Sequence, residues 1–208
     1  FGGGGTGGGF GGGFAGGVPG PYTLSTITAS CDTLSAATVH TAAIADDDAT
    51  TQMTLPIAFP FYGQTMSSYT VSSNGLMQVW NVSGSGTTTG SNGALTGIDN
   101  PIAPFWDDLD NAPTSSVSSQ VLGSGTTRRL VVEWFDWGFY VSGTPSADRL
   151  RFQAKLYEAT QVIELHYCAL AMGTMTDLQT ARHATVGVEN AAGTRAVLIG
   201  ANNRRVIT

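Results

Sequence analysis

The sequence predicts an all-β protein: a single antiparallel β-sandwich of about ten strands, carrying an extended glycine-rich arm at its N-terminal end. Three observations lead there. Apolar residues recur with period two in segment after segment, most plainly Met53, Leu55, Ile57, Phe59 and Phe61, the spacing that turns one face of a strand toward a core. Ser/Thr/Gly/Asn-rich stretches separate these segments, and no run with a 3.6-residue period is long enough for an amphipathic helix. Twelve of the first 17 residues are glycine, and three of the other five are phenylalanine.

These observations divide the chain into an arm (1–17), a Pro/Gly hinge (18–21) and a sandwich domain (22–208). In the hinge, Val18-Pro-Gly-Pro21, two prolines interrupt any ladder. Drawn out as a strand, the arm places Phe10, Phe14 and Val18 on one face, with Gly12 and Gly16 leaving gaps between them. Apolar knobs on a bare backbone suit insertion into a groove, where main-chain hydrogen bonds give affinity and pockets for the rings give register. A buried Phe contributes about 1.5–3 kcal/mol, while ordering each residue costs about 1–2 kcal/mol. The rings alone therefore do not order the arm, and backbone partners are needed. The expected polymer interface is Phe1, Phe10, Phe14 and Val18, docked into another copy of the chain, and a head-to-tail contact of this kind closes a ring or runs on as a filament. A bundle of glycine chains, a flexible linker, and an arm folded back on its own body are the competing readings.

Along the body, residues 22–30 and 38–45 read as Thr/Ala-rich strands and Asp46-Asp47-Asp48 as a turn. The 53–61 strand carries Pro56 and Pro60 on its other face, which makes it an edge or bulged strand. Asn74-Gly75, between 69–73 and 76–80, predicts a hairpin with a type I′ turn. Residues 83–97 and 111–127 read as polar surface loops, and 102–106 as a short apolar strand. Residues 130–137 are apolar on both faces, as a central strand should be. Strands are further expected over 150–156, 162–167, 185–188 and 196–199.

Only 12% of the residues are charged and the net charge is −6. Phosphate neutralisation requires basic patches, and the only basic pairs are Arg128-Arg129 and Arg204-Arg205, so nucleic acid is not an expected partner. No run of about 20 apolar residues is present, hence no expected membrane span. A chain opening at Phe1 fits a product whose leader has been removed, and equally a truncated one. The two cysteines, Cys31 and Cys168, lack the spacing of a zinc site. An even count in a chain of extracellular composition favours a disulfide between them, with two separate buried thiols as the alternative.

Several motifs occur together and in order: Val71-Ser-Ser-Asn-Gly-Leu76, Ile102-Ala-Pro-Phe-Trp-Asp-Asp-Leu-Asp110, Val131-Val-Glu-Trp134, Phe152-Gln-Ala-Lys-Leu-Tyr-Glu158 and Ala184-Thr-Val-Gly-Val-Glu-Asn190. Over residues 55–192 the chain resembles the nidogen-like (NIDO-type) extracellular domain and related β-sandwich modules of secreted bacterial proteins. The resemblance implies an extracellular adhesive or structural module without catalysis. It does not cover the arm.

Three constellations could carry chemistry. Asp107, Asp108 and Asp110, with Asp99 and Asn100 nearby, offer the hard oxygen ligands that calcium takes; a backbone-capping turn is the competing reading. Beyond that ion no cofactor is expected. Trp80 and Tyr140 border loops and are the candidate stacking platform for glycans or matrix, the partners of a second functional reading in which the module is monomeric. His40, His166 and His183 lie far apart, and neither a G-x-S-x-G elbow nor an HExxH motif is present, so no enzymatic activity is expected. Asn81-Val82-Ser83 is a glycosylation sequon.

Overall fold

The structure is a computed structural model that describes residues 22–90, 93–140, 147–171 and 184–200. Its described strands are β1 (Thr38–Val39), β2 (Met53–Phe61), β3 (Gln64–Val71), β4 (Met77–Trp80), β5 (Pro101–Trp106), β6 (Leu109–Leu122), β7 (Arg129–Phe139), β8 (Arg149–Tyr157), β9 (Ile163–Ala171), β10 (Thr185–Glu189) and β11 (Ala196–Gly200). They form two antiparallel sheets, one in the order β1-β6-β7-β8-β9 and the other in the order β11-β10-β5-β4-β3-β2. The expected all-β sandwich is what the chain adopts. The arm, including Phe1, Phe10, Phe14 and Val18, lies outside the described residues.

The core forms where the inward rows of both sheets meet. Leu55, Ile57, Phe59 and Phe61 of β2 are buried while Thr54, Pro56 and Ala58 are not, as period two requires. They face Leu130, Val132 and Trp134 of β7 and Phe152, Ala154 and Leu156 of β8 across the interface. β7 is the middle strand of its sheet, in keeping with its two apolar faces. β2 is an edge strand with a register shift between Thr54 and Phe59. Its open backbone is taken up from the opposite sheet, Ala58 N–H donating to Glu158 Oε1 at 2.8 Å and Arg128 Nη2 donating to Pro56 O at 2.9 Å. An edge protected in this way is a poor template for another strand.

Four segments differ from expectation. Residues 22–30 form no strand; instead 30–36 cross the outer face of the five-stranded sheet as a strap. Only Thr38 and Val39 of the 38–45 segment pair, before a 3-10 turn at Thr41–Ala43. The 111–127 stretch contains most of the 14-residue β6, which pairs with β7 from Leu109↔Phe139 to Leu122↔Arg129. Its Ser/Thr content concealed it, because polar residues lie on both of its faces, Ser119 pointing inward beside Val117 to meet Tyr69 and His40. The described parts of the 83–97 stretch, 83–90 and 93–97, form a loop, as expected, but fold onto the outer face of the six-stranded sheet. There Leu95 and Ile98 form a second small core with Leu76, Ala103 and Trp106.

Asn74-Gly75 is the most informative difference. β3 and β4 do form the expected hairpin, from Ser68↔Trp80 to Val71↔Met77, but the connection is a five-residue loop closed by Ser72 N–H donating to Leu76 O at 2.9 Å. Asn74 is fully buried. Its Oδ1 accepts from Leu109 N–H at 2.7 Å, and its Nδ2 donates to Asp47 Oδ1 at 2.8 Å and Thr88 O at 2.7 Å. One amide thus ties three loops together, where an exposed two-residue turn was expected.

Candidate functional site

Two places bring chemically distinctive groups together: an apolar cleft on one side of the sandwich and an acidic cluster at one end. The cleft lies where the two sheets end in β9 and β11. Among the described residues neither strand has a second neighbour. The opening between them holds a cavity of about 570 Å³, within the range of ligand pockets. Ile163 and Leu165 of β9 line one wall, Val197 and Ile199 of β11 the other, with Val188 and Tyr62 behind. Residues 22–27 form the lip. Leu24, Ile27 and Val162, three of the cleft's lining residues, remain 58%, 50% and 44% exposed, an unusual concentration of bare aliphatic surface.

Tyr22 anchors that lip. Its ring packs 5.7 Å from Phe61 and 5.1 Å edge-on to Tyr62, and its hydroxyl donates to Pro60 O at 3.4 Å. Tyr62 in turn donates to Val188 O at 3.3 Å. Burial pushes the Tyr22 phenol up to about 12 and raises that of Tyr62 as well, so both are neutral hydrogen-bond donors at physiological pH. The wall is aliphatic and aromatic, with Glu164 and Gln161 toward one end.

Beyond the lip, the strap is pinned by the Cys31–Cys168 disulfide, the pairing expected from the sequence. Ser30 N–H donates to His166 Nδ1 at 3.1 Å, so the ring proton sits on Nε2 and is donated to Glu164 Oε2 at 2.9 Å. Asp32 pairs with Arg129 and with Lys155, whose Nζ also donates to Ser30 O. Burial alone would raise the Asp32 carboxyl, but hydrogen bonds from Arg129 and Lys155 and their charges outweigh it and lower its pKa. Gln153 and Asp32 exchange two main-chain bonds, Asp32 N–H donating to Gln153 Oε1 at 2.9 Å and Gln153 Nε2 to Asp32 O at 2.8 Å. The strap thereby covers Gln153, Lys155 and His166, which sit on the face of the sheet away from the core yet are buried.

The acidic cluster draws on two loops. Asp46, Asp47 and Asp108 bring one carboxylate oxygen each to within 4.8 Å of the others, and all three are exposed. Partial burial, then the charges of Asp47, Asp110 and Asp108, raise the Asp46 pKa; burial and then Asp47 and Asp110 raise that of Asp108. The expected Asp107–Asp108–Asp110 set is thus rearranged. Asp108 joins Asp46 and Asp47, Asp110 lies close enough to repel them and caps Asn111 N–H at 2.8 Å, and Asp107 turns inward. Alternating side-chain direction along the end of β5 accounts for the split. The sequence reading missed Asp46 and Asp47 as partners because their proximity depends on the buried Asn74 bridge.

Asp107 is 7% exposed. Its Oδ1 accepts from Asp108 N–H at 2.8 Å, while Oδ2 is buried with no hydrogen-bond partner among the described residues. Burial pushes its pKa up to about 7, a shift the Asp108 N–H opposes and the Asp108 charge reinforces. The folded state therefore binds this proton more tightly than the unfolded chain does. The contribution of Asp107 to stability falls as pH rises through the window from about 4 to about 7. Asp107→Asn is expected to stabilise the protein at pH 8 by roughly 1–4 kcal/mol, the upper value following from a three-unit displacement at ~1.4 kcal/mol each, with no difference left at pH 4. Urea melts of both proteins at pH 4, 6 and 8 test this, and a gain of equal size at pH 4 would contradict it.

The remaining candidates divide. Trp80 is buried, its Nε1 donating to Thr70 Oγ1 at 3.2 Å and Gly84 lying against its ring, so it presents no stacking face to solvent. Tyr140 is 47% exposed. His40 Nε2 lies 2.9 Å from Ser119 Oγ, which is 3.1 Å from the Tyr69 hydroxyl; all three residues are buried and satisfy one another inside the sandwich. His183 lies outside the described residues. Asn81 is exposed, its Nδ2 donating to Gln64 Oε1 at 3.0 Å.

Two antiparallel sheets, a disulfide and covered outer faces define an extracellular-type β-sandwich module. Among the described residues no helix is long and apolar enough to cross a membrane. A family profile described as "NIDO related" matches residues 21–207, and the chain belongs to that family. No curated protein and no solved structure matches it. Four of the five motifs carrying the resemblance meet in space: Trp134 Nε1 donates to Ser72 O at 2.8 Å, and Phe152 stacks on Trp134 at 5.1 Å and packs 5.4 Å from Phe105. Together with the bonds of Asn74 this makes them a structural hub. The cleft is elsewhere.

Proposed function

We propose that the chain is a structural subunit of an extracellular assembly, joined by inserting its Gly/Phe arm, residues 1–17, into the β9/β11 cleft of a neighbouring copy in the manner of a donated strand. The observation that carries this reading is an apolar cleft flanked by two strands that have no outer neighbour among the described residues, in a chain whose arm sequence alternates bulky rings with bare backbone. An inserted strand would satisfy the open edges and cover Leu24, Ile27 and Val162 at once. The arm, fully extended, reaches on the order of 50 Å at about 3.3 Å per residue, enough to cross between two bodies. The opposite edge is a poorer acceptor, because the prolines of β2 and its contacts with Arg128 and Glu158 occupy it.

Deleting residues 1–17, or introducing Leu24→Asp with Val162→Glu at the exposed lip, tests the reading by light scattering and electron microscopy at high subunit concentration. The intact chain is expected to form multimers, while both variants remain folded monomers by circular dichroism. Multimers of unchanged size in both variants would overturn it.

A further inference from the structure

The described chain begins at the cleft. The first described residue, Tyr22, is itself a lining residue of the cleft, and Thr23, Leu24, Ser25 and Ile27 continue along the same lip. The described chain therefore begins at the cleft mouth, and in sequence only the hinge 18–21 separates that point from the arm. Gly20, between two prolines, is the residue free to reverse the chain there. The cleft that accepts a neighbour's arm thus lies within a few residues' reach of the chain's own.

We infer that in the isolated subunit the cleft is occupied by the subunit's own arm, so that assembly is an exchange of one arm for an identical one. This rests on the arm-into-cleft reading above. A segment tethered by a short linker is presented to its site at an effective concentration on the order of millimolar, and a free arm must compete with it. The same residues make the same contacts in both states, so exchange alters only which body supplies the arm, as in domain swapping. Two consequences follow. Subunits stay separate while dilute, although each carries a complete joint. Assembly starts only where local concentration approaches the tethered value or where an open cleft is presented by a growing end.

The test uses a fluorescently labelled peptide of residues 1–17 and two full-length proteins, the intact chain and the double variant Phe10→Asp, Phe14→Asp, each diluted until light scattering shows monomers. Anisotropy titration is expected to show the peptide binding the double variant at least tenfold more tightly than the intact chain, because the variant's arm no longer holds its own cleft. A ratio of about ten follows for a peptide Kd of about 100 μM against a tethered concentration of about 1 mM. Equal binding to both proteins overturns self-occupancy and leaves the cleft as an acceptor of arms from other copies. Binding to neither overturns the acceptor cleft and self-occupancy with it. Adding Leu24→Asp to the double variant is expected to abolish the peptide signal; if it persists, the peptide binds elsewhere and the inference fails.

Discussion

Gly75→Ala is expected to leave little or no stably folded protein. Gly75 has a φ of +71°, and a Cβ built on it would lie 1.9 Å from the Phe105 carbonyl oxygen and 3.3 Å from the Phe152 ring. The left-handed backbone alone costs a non-glycine residue about 1–2 kcal/mol. The carbonyl overlap is larger, because the atom in the way is main chain of β5, held by the ladder on both sides, and cannot swing aside. Relieving it means shifting β5 away from the β3–β4 loop, which breaks the Asn74 bridge to Leu109 and disturbs the packing of Phe105 on Phe152. A loss above about 4 kcal/mol is expected, in the range reserved for the worst core lesions, seen as insolubility or as a Tm lowered by more than about 10 °C. Gly63→Ala is the matched control. Its φ of +83° carries the same backbone strain, but no atom of the described residues lies within 4 Å of the added Cβ, so a loss of only about 1 kcal/mol is expected. Similar melts for both variants would show that left-handed strain, and not the approach of β5, sets the requirement for glycine.

That contrast also shows what the sequence made legible and what it did not. Period two at 53–61 identified β2, its buried face and its status as an edge, because all three follow from alternation and proline placement within nine residues. β7 was legible as central for the same local reason. β6 was not: Ser115, Ser118 and Ser119 are buried polar residues whose partners come from distant segments, such as Tyr69 and His40 on Ser119. Composition sees only their hydroxyls. Asn74-Gly75 is the same failure in sharper form. The dipeptide is a good local turn signal, and a hairpin is present, yet burial beneath β5 and the 46–48 loop decides what both residues do. The regrouping of the carboxylates follows from that bridge. The cleft was invisible for a different reason, since it is an absence of cover between two strand edges distant in sequence. Only the arm hinted at it, by carrying the sequence pattern of a strand with no partner expected within its own segment.

Removing the disulfide, through Cys31→Ser with Cys168→Ser or by treatment with a dithiol, is expected to destabilise the body by up to about 5 kcal/mol. The bond joins residues 137 apart in sequence, and loop-closure entropy in the unfolded chain gives about this value for so long a loop. The folded strap has other anchors: Asp32 with Arg129 and Lys155, Gln153 on both main-chain groups of Asp32, and His166 on Ser30 N–H. These predict that native geometry outlasts the bond, so that the amide protons of Ser30 and Asp32 still exchange slowly in the reduced protein while its global stability has fallen. Urea melts with and without dithiol measure the second quantity and hydrogen exchange the first. If stability is unchanged, the loop-entropy account is wrong. If the two amides lose all protection, the polar anchors do not hold the strap by themselves. In that second case the consequence reaches the cleft, because residues 22–27 are held between Tyr22 at one end and the strap at the other. A lip released at its Cys31 end would no longer hold Leu24 and Ile27 at the cleft, and under the proposed arm-into-cleft reading arm-peptide binding would fall with the loss of strap protection.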